Sequence, residues 1–205
     1  RYWPMIIEVA DIPQTLDIMA QNTADADLSS KALEAYIRKV ALASENGVQR
    51  LLRYRAAMDY AANDAQRNIL LERIGATGAF QGIMYAAKFL DSKATEVAAA
   101  NAVRTIATSD PSYYGPAIVD VMKRIRNVDT GQDFSYDVQR IDHYLEGLPA
   151  GDPGYVSMFN GKDLTGWQGM IRSTKGGEGN PYLRNAMSAR HGYLFMSAEL
   201  RSIFE

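Results

Sequence analysis

The sequence predicts a multidomain chain, all-α over most of its length and all-β at its end. Three observations carry that expectation. Apolar residues recur at the i, i+3, i+4, i+7 spacing of a helical face from about Leu28 to Glu146. Similar hexapeptides return at regular intervals along that stretch. After Leu148-Pro149-Ala150-Gly151-Asp152-Pro153-Gly154 the helical period stops, glycines accumulate and the apolar runs shorten to strand length. The expected division is an N-terminal segment 1–27, a helical part 28–147, a linker 148–154 and a β part 155–205.

Each helix has its own signals. Leu33, Tyr36, Ile37 and Val40 form the first stripe, with Asp27, Ser29 and Ser30 offering N-cap oxygens ahead of it. Asn46-Gly47 ends that helix, and Val48, Leu51, Leu52 and Met58 build the next. Asn63-Asp64 caps a third, carrying Leu70, Leu71 and Ile74 and closed by Gly75 and Gly78. Phe80, Ile83, Met84 and Ala87 make the fourth stripe. A fifth, Ala99, Ala102, Val103 and Ile106, lies on an alanine-rich segment whose small residues let a neighbouring helix come close. Asp110-Pro111 is a start signal for the sixth, with Pro116 as the alternative start; Ile118, Val121, Met122 and Ile125 are its stripe. The seventh begins near Asp133, turns Phe134, Val138, Ile141 and Leu145 inward, and stops at Gly147 before Leu148-Pro149.

These helices repeat. Tyr36-Ile37-Arg38-Lys39-Val40-Ala41 aligns with Leu70-Leu71-Glu72-Arg73-Ile74-Gly75, 34 residues on, and with Ala102-Val103-Arg104-Thr105-Ile106-Ala107, a further 32 on. Helix pairs returning at this period are the mark of an α-solenoid, in which stacking buries what one pair cannot. Residues 28–147 resemble HEAT-like repeats, which implies an extended surface for a protein partner.

Composition narrows the function. The 205 residues carry 22 Lys and Arg against 24 Asp and Glu, a net charge of −2, so no basic excess points to nucleic acid and none is expected as a partner. The clusters Arg50/Arg53/Arg55 and Lys123/Arg124/Arg126 are read as solvated helix faces with acidic neighbours. No cysteine is present, which excludes disulfides, thiolate metal sites and a cysteine nucleophile, and leaves the compartment open. Two histidines, His143 and His191, leave little room for a multi-histidine metal site. His143, off the apolar stripe and without a second histidine at i+4, is read as an exposed structural residue. No apolar run reaches the roughly 18 residues of a membrane span. Arg1-Tyr2-Trp3-Pro4 is no signal peptide and lacks an initiator methionine, so a processed or trimmed start is expected. There is no phosphate-binding loop, no H-E-x-x-H and no G-x-S-x-G elbow.

In the β part, Tyr155-Val156-Ser157-Met158-Phe159 and Gly192-Tyr193-Leu194-Phe195-Met196 read as strands, and Asn160-Gly161 as a turn. The run Gly154-Tyr155-Val156-Ser157-Met158-Phe159-Asn160-Gly161-Lys162-Asp163-Leu164-Thr165-Gly166-Trp167 resembles the opening of the 3-keto-disaccharide hydrolase family. Gln168-Gly169, Asn180-Pro181, Arg184 and Met187-Ser188-Ala189 are similar to one branch of it. The resemblance covers about 153–205. It implies a concanavalin-like jelly-roll sandwich, of which this segment is the start, since eight strands need more residues. It also implies a carbohydrate substrate, and a periplasmic or otherwise cell-envelope or secreted setting like that of multidomain glycan-degrading proteins of Gram-negative bacteria.

The implied reaction is cleavage of 3-keto-glycosides. A ketone at C3 acidifies the C2 proton; a general base removes it, the enolate expels the C1 substituent, and water adds later. The enolate oxygen calls for positive charge or a divalent metal. Trp167 reads first as a packing residue, with stacking on a sugar ring as its functional alternative, and Arg184 as either a sugar contact or a loop-anchoring salt bridge; these two are the expected substrate contacts. His191, Glu199, Arg201 and Glu205 are the polar groups near the strands, and no catalytic residue is assigned among them. Two rival expectations are a non-catalytic carbohydrate-binding module and a HEAT-like scaffold for protein–protein interaction.

Overall fold

The computed structural model describes residues 2–152, 154–155, 167–171 and 192–196. Within 2–152 the chain is all helical: α1 (Trp3–Val9), α2 (Ile12–Gln21), α3 (Ala26–Leu42), α4 (Gly47–Met58), α5 (Asp64–Gly75), α6 (Gln81–Ala87), α7 (Glu96–Ala107), α8 (Pro116–Ile125) and α9 (Phe134–Glu146), with a 3-10 turn at Gly131–Asp133. The chain divides into two units, Arg1–Tyr155 and Val156–Glu205.

The helix starts follow from local hydrogen bonding. At α2 and α4, Asp11 with Gln14 and Asn46 with Gln49 form reciprocal capping boxes, so donors that no helical carbonyl can reach are satisfied. Asp25 caps α3 through Leu28 N, and Asn63 caps α5 through Gln66 N. The N-terminal segment 1–27 thus holds two helices ahead of the first sequence stripe. Pro4 and Pro13 sit in their first turns, where a missing N–H costs no hydrogen bond. Of the two start signals for α8, Pro116 is used; Pro111 lies in the preceding turn.

The three repeated hexapeptides occupy the C-terminal halves of α3, α5 and α7. Their first residues, Tyr36, Leu70 and Ala102, and their fifth, Val40, Ile74 and Ile106, are all buried. The close approach of α5 to α7 needs small residues on both sides: a Cβ on Gly75 would stand 3.0 Å from Ala102 Cα. At Gly82 of α6 a Cβ would lie 2.7 Å from Ile106 Cδ1, so that side-chain end would have to move. At the other end Lys39 Nζ donates to Ile7 O and Ala10 O, both at 2.5 Å, and to Thr15 Oγ1, placing its charge on the carbonyl end of α1.

The expected jelly-roll is corrected by the structure. Among the described residues the only β structure is an antiparallel pair, β1 (Trp167–Ile171) with β2 (Gly192–Met196), in register Trp167↔Met196 through Ile171↔Gly192. Two strands of five residues make one short ladder and enclose no core, so no sandwich is present among them. Gly192–Met196 is the strand read from the sequence. Tyr155 is a bend belonging to the helical unit, and Val156–Phe159 lie outside the described residues.

Candidate functional site

Of the two expected substrate contacts, Trp167 opens β1, its main chain opposite Met196. Arg184 lies outside the described residues, as do His191, Glu199, Arg201 and Glu205. Among the described residues no three His, Asp or Glu side chains gather where they could hold a metal ion.

The entry to the family-like run is held firmly within the helical unit. Tyr155 N donates to Tyr114 O at 2.8 Å, and the Tyr155 ring lies 4.1 Å from that of Phe80, which meets Tyr113 edge-on at 5.3 Å. Asp152 accepts from Tyr114 Oη at 2.8 Å and from Gly154 N at 2.9 Å, and these bonds hold its carboxyl below the usual carboxylate range, the Gly154 bond most. Glycine is required at 154, where φ is +62° and a Cβ would meet Tyr114 O at 2.5 Å. Tyr144 Oη donates to Tyr113 O at 2.7 Å, tying α9 into the same cluster.

Two grooves mark the helical unit. One, of about 570 Å³, runs along α5 and α7 past Ile69, Ala76, Val97, Ala98 and Ala102. The other, of about 600 Å³, lies between the end of α7 with the following turn and the outer face of α9. Its α9 wall carries Tyr136, Gln139, Arg140 and His143; Thr108, Asp110 and Pro111 face them. Arg140 Nη2 donates to Thr108 Oγ1 at 2.8 Å, and its guanidinium lies 6.0 Å from the Tyr136 ring centroid. Asp110 Oδ1 accepts from Ser112 N at 2.8 Å and from Ser112 Oγ at 2.7 Å, bonds that lower its pKa.

The sequence singled out His143, which is exposed on this wall, but neither Tyr136 nor Arg140. The available signal was their placement at i, i+4 and i+7 on the polar face of α9. Four members of the basic clusters have side-chain partners, while Arg50 Nε is buried without one among the described residues. Arg53 meets Glu45 at 3.0 Å, Arg124 meets Asp91 at 2.7 Å, and Arg126 grips both oxygens of Asp142 at 2.6 and 2.9 Å. The Arg126 hydrogen bonds hold the Asp142 carboxyl below its usual range. Arg55 lies over the Tyr85 ring at 4.8 Å.

The described residues form an all-helical unit and, in a second unit, one antiparallel strand pair. Compared with protein-family models, with curated proteins and with solved structures, the chain matches none. Among the described residues no helix is long and apolar enough to cross a membrane.

Proposed function

We propose that this chain serves glycan processing, namely cleavage of 3-keto-glycosides in a cell-envelope or secreted setting. The observation that carries the reading is the run from Gly154 to Trp167, whose asparagine-glycine, aspartate-leucine and glycine-tryptophan steps resemble the opening of 3-keto-disaccharide hydrolases. The chemistry is self-consistent. Removing the C2 proton beside the C3 ketone gives an enolate; its electrons form the C1–C2 double bond as the C1 oxygen leaves, and water then adds at C1. Trp167 and Arg184 are the proposed sugar contacts. The helical unit is the partner-docking part of this reading, favoured by the apolar groove along α5 and α7.

The test is turnover of a 3-keto-disaccharide by the full gene product in D2O, followed by NMR. Release of both monosaccharides, with deuterium at C2 of the 3-keto sugar alone, is the expected result. Folded protein that leaves the substrate intact and its C2 unexchanged would sink the proposal.

A further inference from the structure

We infer that the groove between the end of α7 and α9 is a binding site for a neutral carbohydrate. Its wall chemistry decides the class of ligand. Arg140 is held by Thr108, and among the described residues no carboxylate pairs with it, so its remaining N–H groups are free to donate. Asp110 spends Oδ1 on Ser112, while Oδ2 has no partner among the described residues. An anion would meet the Asp110 carboxylate, and a cation would meet the Arg140 guanidinium. A polyol suits both, because some of its hydroxyls can accept from Arg140 and others donate to Asp110.

Gln139 and His143 add further hydrogen-bonding groups along the same wall. Tyr136 is 62% exposed, which leaves it an apolar ring face for the C–H face of a sugar, with the Arg140 guanidinium close by. About 600 Å³ accommodates two or three sugar rings, within the usual size of a small-molecule site. Pro111, Ala107 and Leu148 line the remainder with apolar surface.

The probe is maltotriose or cellotriose with the full chain, read by saturation transfer to the sugar ring protons. Inorganic phosphate and a neutral Ser/Asn hexapeptide are the competitors. Binding is expected to weaken about tenfold in Tyr136→Ala and in Arg140→Met, and to persist in Tyr136→Phe. Circular dichroism confirms that each variant is folded. No transfer to either sugar, equal transfer in all variants, or displacement by phosphate or peptide at lower concentration would overturn the inference. The site stands apart from the proposed catalysis. Turnover kept with sugar binding lost in Tyr136→Ala separates the two, and binding without any turnover counts against the catalytic reading alone.

Discussion

Two buried polar junctions hold the helical unit together, and they are built in opposite ways. Between α3 and α5 the junction is neutral. Gln66 Nε2 donates to Ser29 Oγ and Ser30 Oγ, both at 3.2 Å, while its Oε1 accepts from Ala62 N at 2.8 Å. Between α7 and α9 the junction is charged: Arg104 pairs with Asp137, whose side chains are 11% and 7% exposed. Thr130 Oγ1 donates to the same carboxylate at 2.7 Å, and Arg104 Nη2 donates to Asn101 Oδ1 at 2.9 Å, but Arg104 Nε is buried without a partner. A neutral network degrades gradually when one member is lost. A buried ion pair does not, because the surviving charge stays out of water with nothing opposite it.

The largest expected effect follows from that contrast. Asp137→Ala should cost about 3–5 kcal/mol by urea unfolding, since it strands the Arg104 guanidinium. A loss below about 1.5 kcal/mol would mean that water reaches Arg104, and the two junctions would then be alike. Replacing both partners together, Arg104→Met with Asp137→Leu, should recover most of the loss.

Gln66→Ala should cost about 1–3 kcal/mol, leaving Ala62 N and two serine hydroxyls to find new partners. Measuring it beside Asp137→Ala is the direct comparison, and equal losses would break it. Gly75→Ala should cost about 1–3 kcal/mol, because a methyl 3.0 Å from Ala102 Cα must push α5 and α7 apart. Thermal unfolding without loss would show that these helices can shift freely.

The smallest expected effect at neutral pH accompanies a pH dependence in alkali. Burial pushes both Tyr36 and Tyr144 up to about 12. With their unfolded values near 10, the unfolded chain releases these protons first, so stability is full below pH ~10 and falls as pH rises toward ~12. Tyr144→Phe should flatten part of that decline, at a cost of about 1 kcal/mol at neutral pH for the lost bond to Tyr113 O. Melting temperatures across this range check both, and an unchanged slope in the variant would show that Tyr144 does not contribute.

Much of the helical unit was legible because helix formation is signalled locally. The Asn46 and Asn63 caps, the stop at Gly147 and the stripes from Tyr36 to Ile141 are visible in short windows of sequence. What misled the reading was also local. The division takes 1–27 as one N-terminal segment, whereas it holds α1 and α2, with Pro13 in the first turn of α2 where no N–H is needed. Asp110-Pro111 resembles a helix start, yet Asp110 spends its carboxylate on a turn with Ser112, and the helix waits for Pro116. Gly75 was read only as a stop, while its neighbour across the interface, Ala102, is 27 residues away in sequence. Of the groove, Ala107, Asp110, Pro111, His143, Gly147 and Leu148 enter the sequence analysis, each for another reason.

By itself, then, the sequence determined where most helices run and much of what they bury, because a stripe at the helical period is a property of one segment and water enforces it locally, although Val48, Leu52 and Met84 of the expected stripes are exposed. It also determined the extent of the strand Gly192–Met196. Tertiary structure alone decided that the described residues of the β part form a two-stranded pair, that Arg104 meets Asp137, and that Tyr155 docks on Phe80. It also decided that Tyr136 and Arg140 face Asp110 across a groove. Those outcomes join residues far apart in the chain, and such pairings are chosen by the packing of whole helices rather than by any window of sequence.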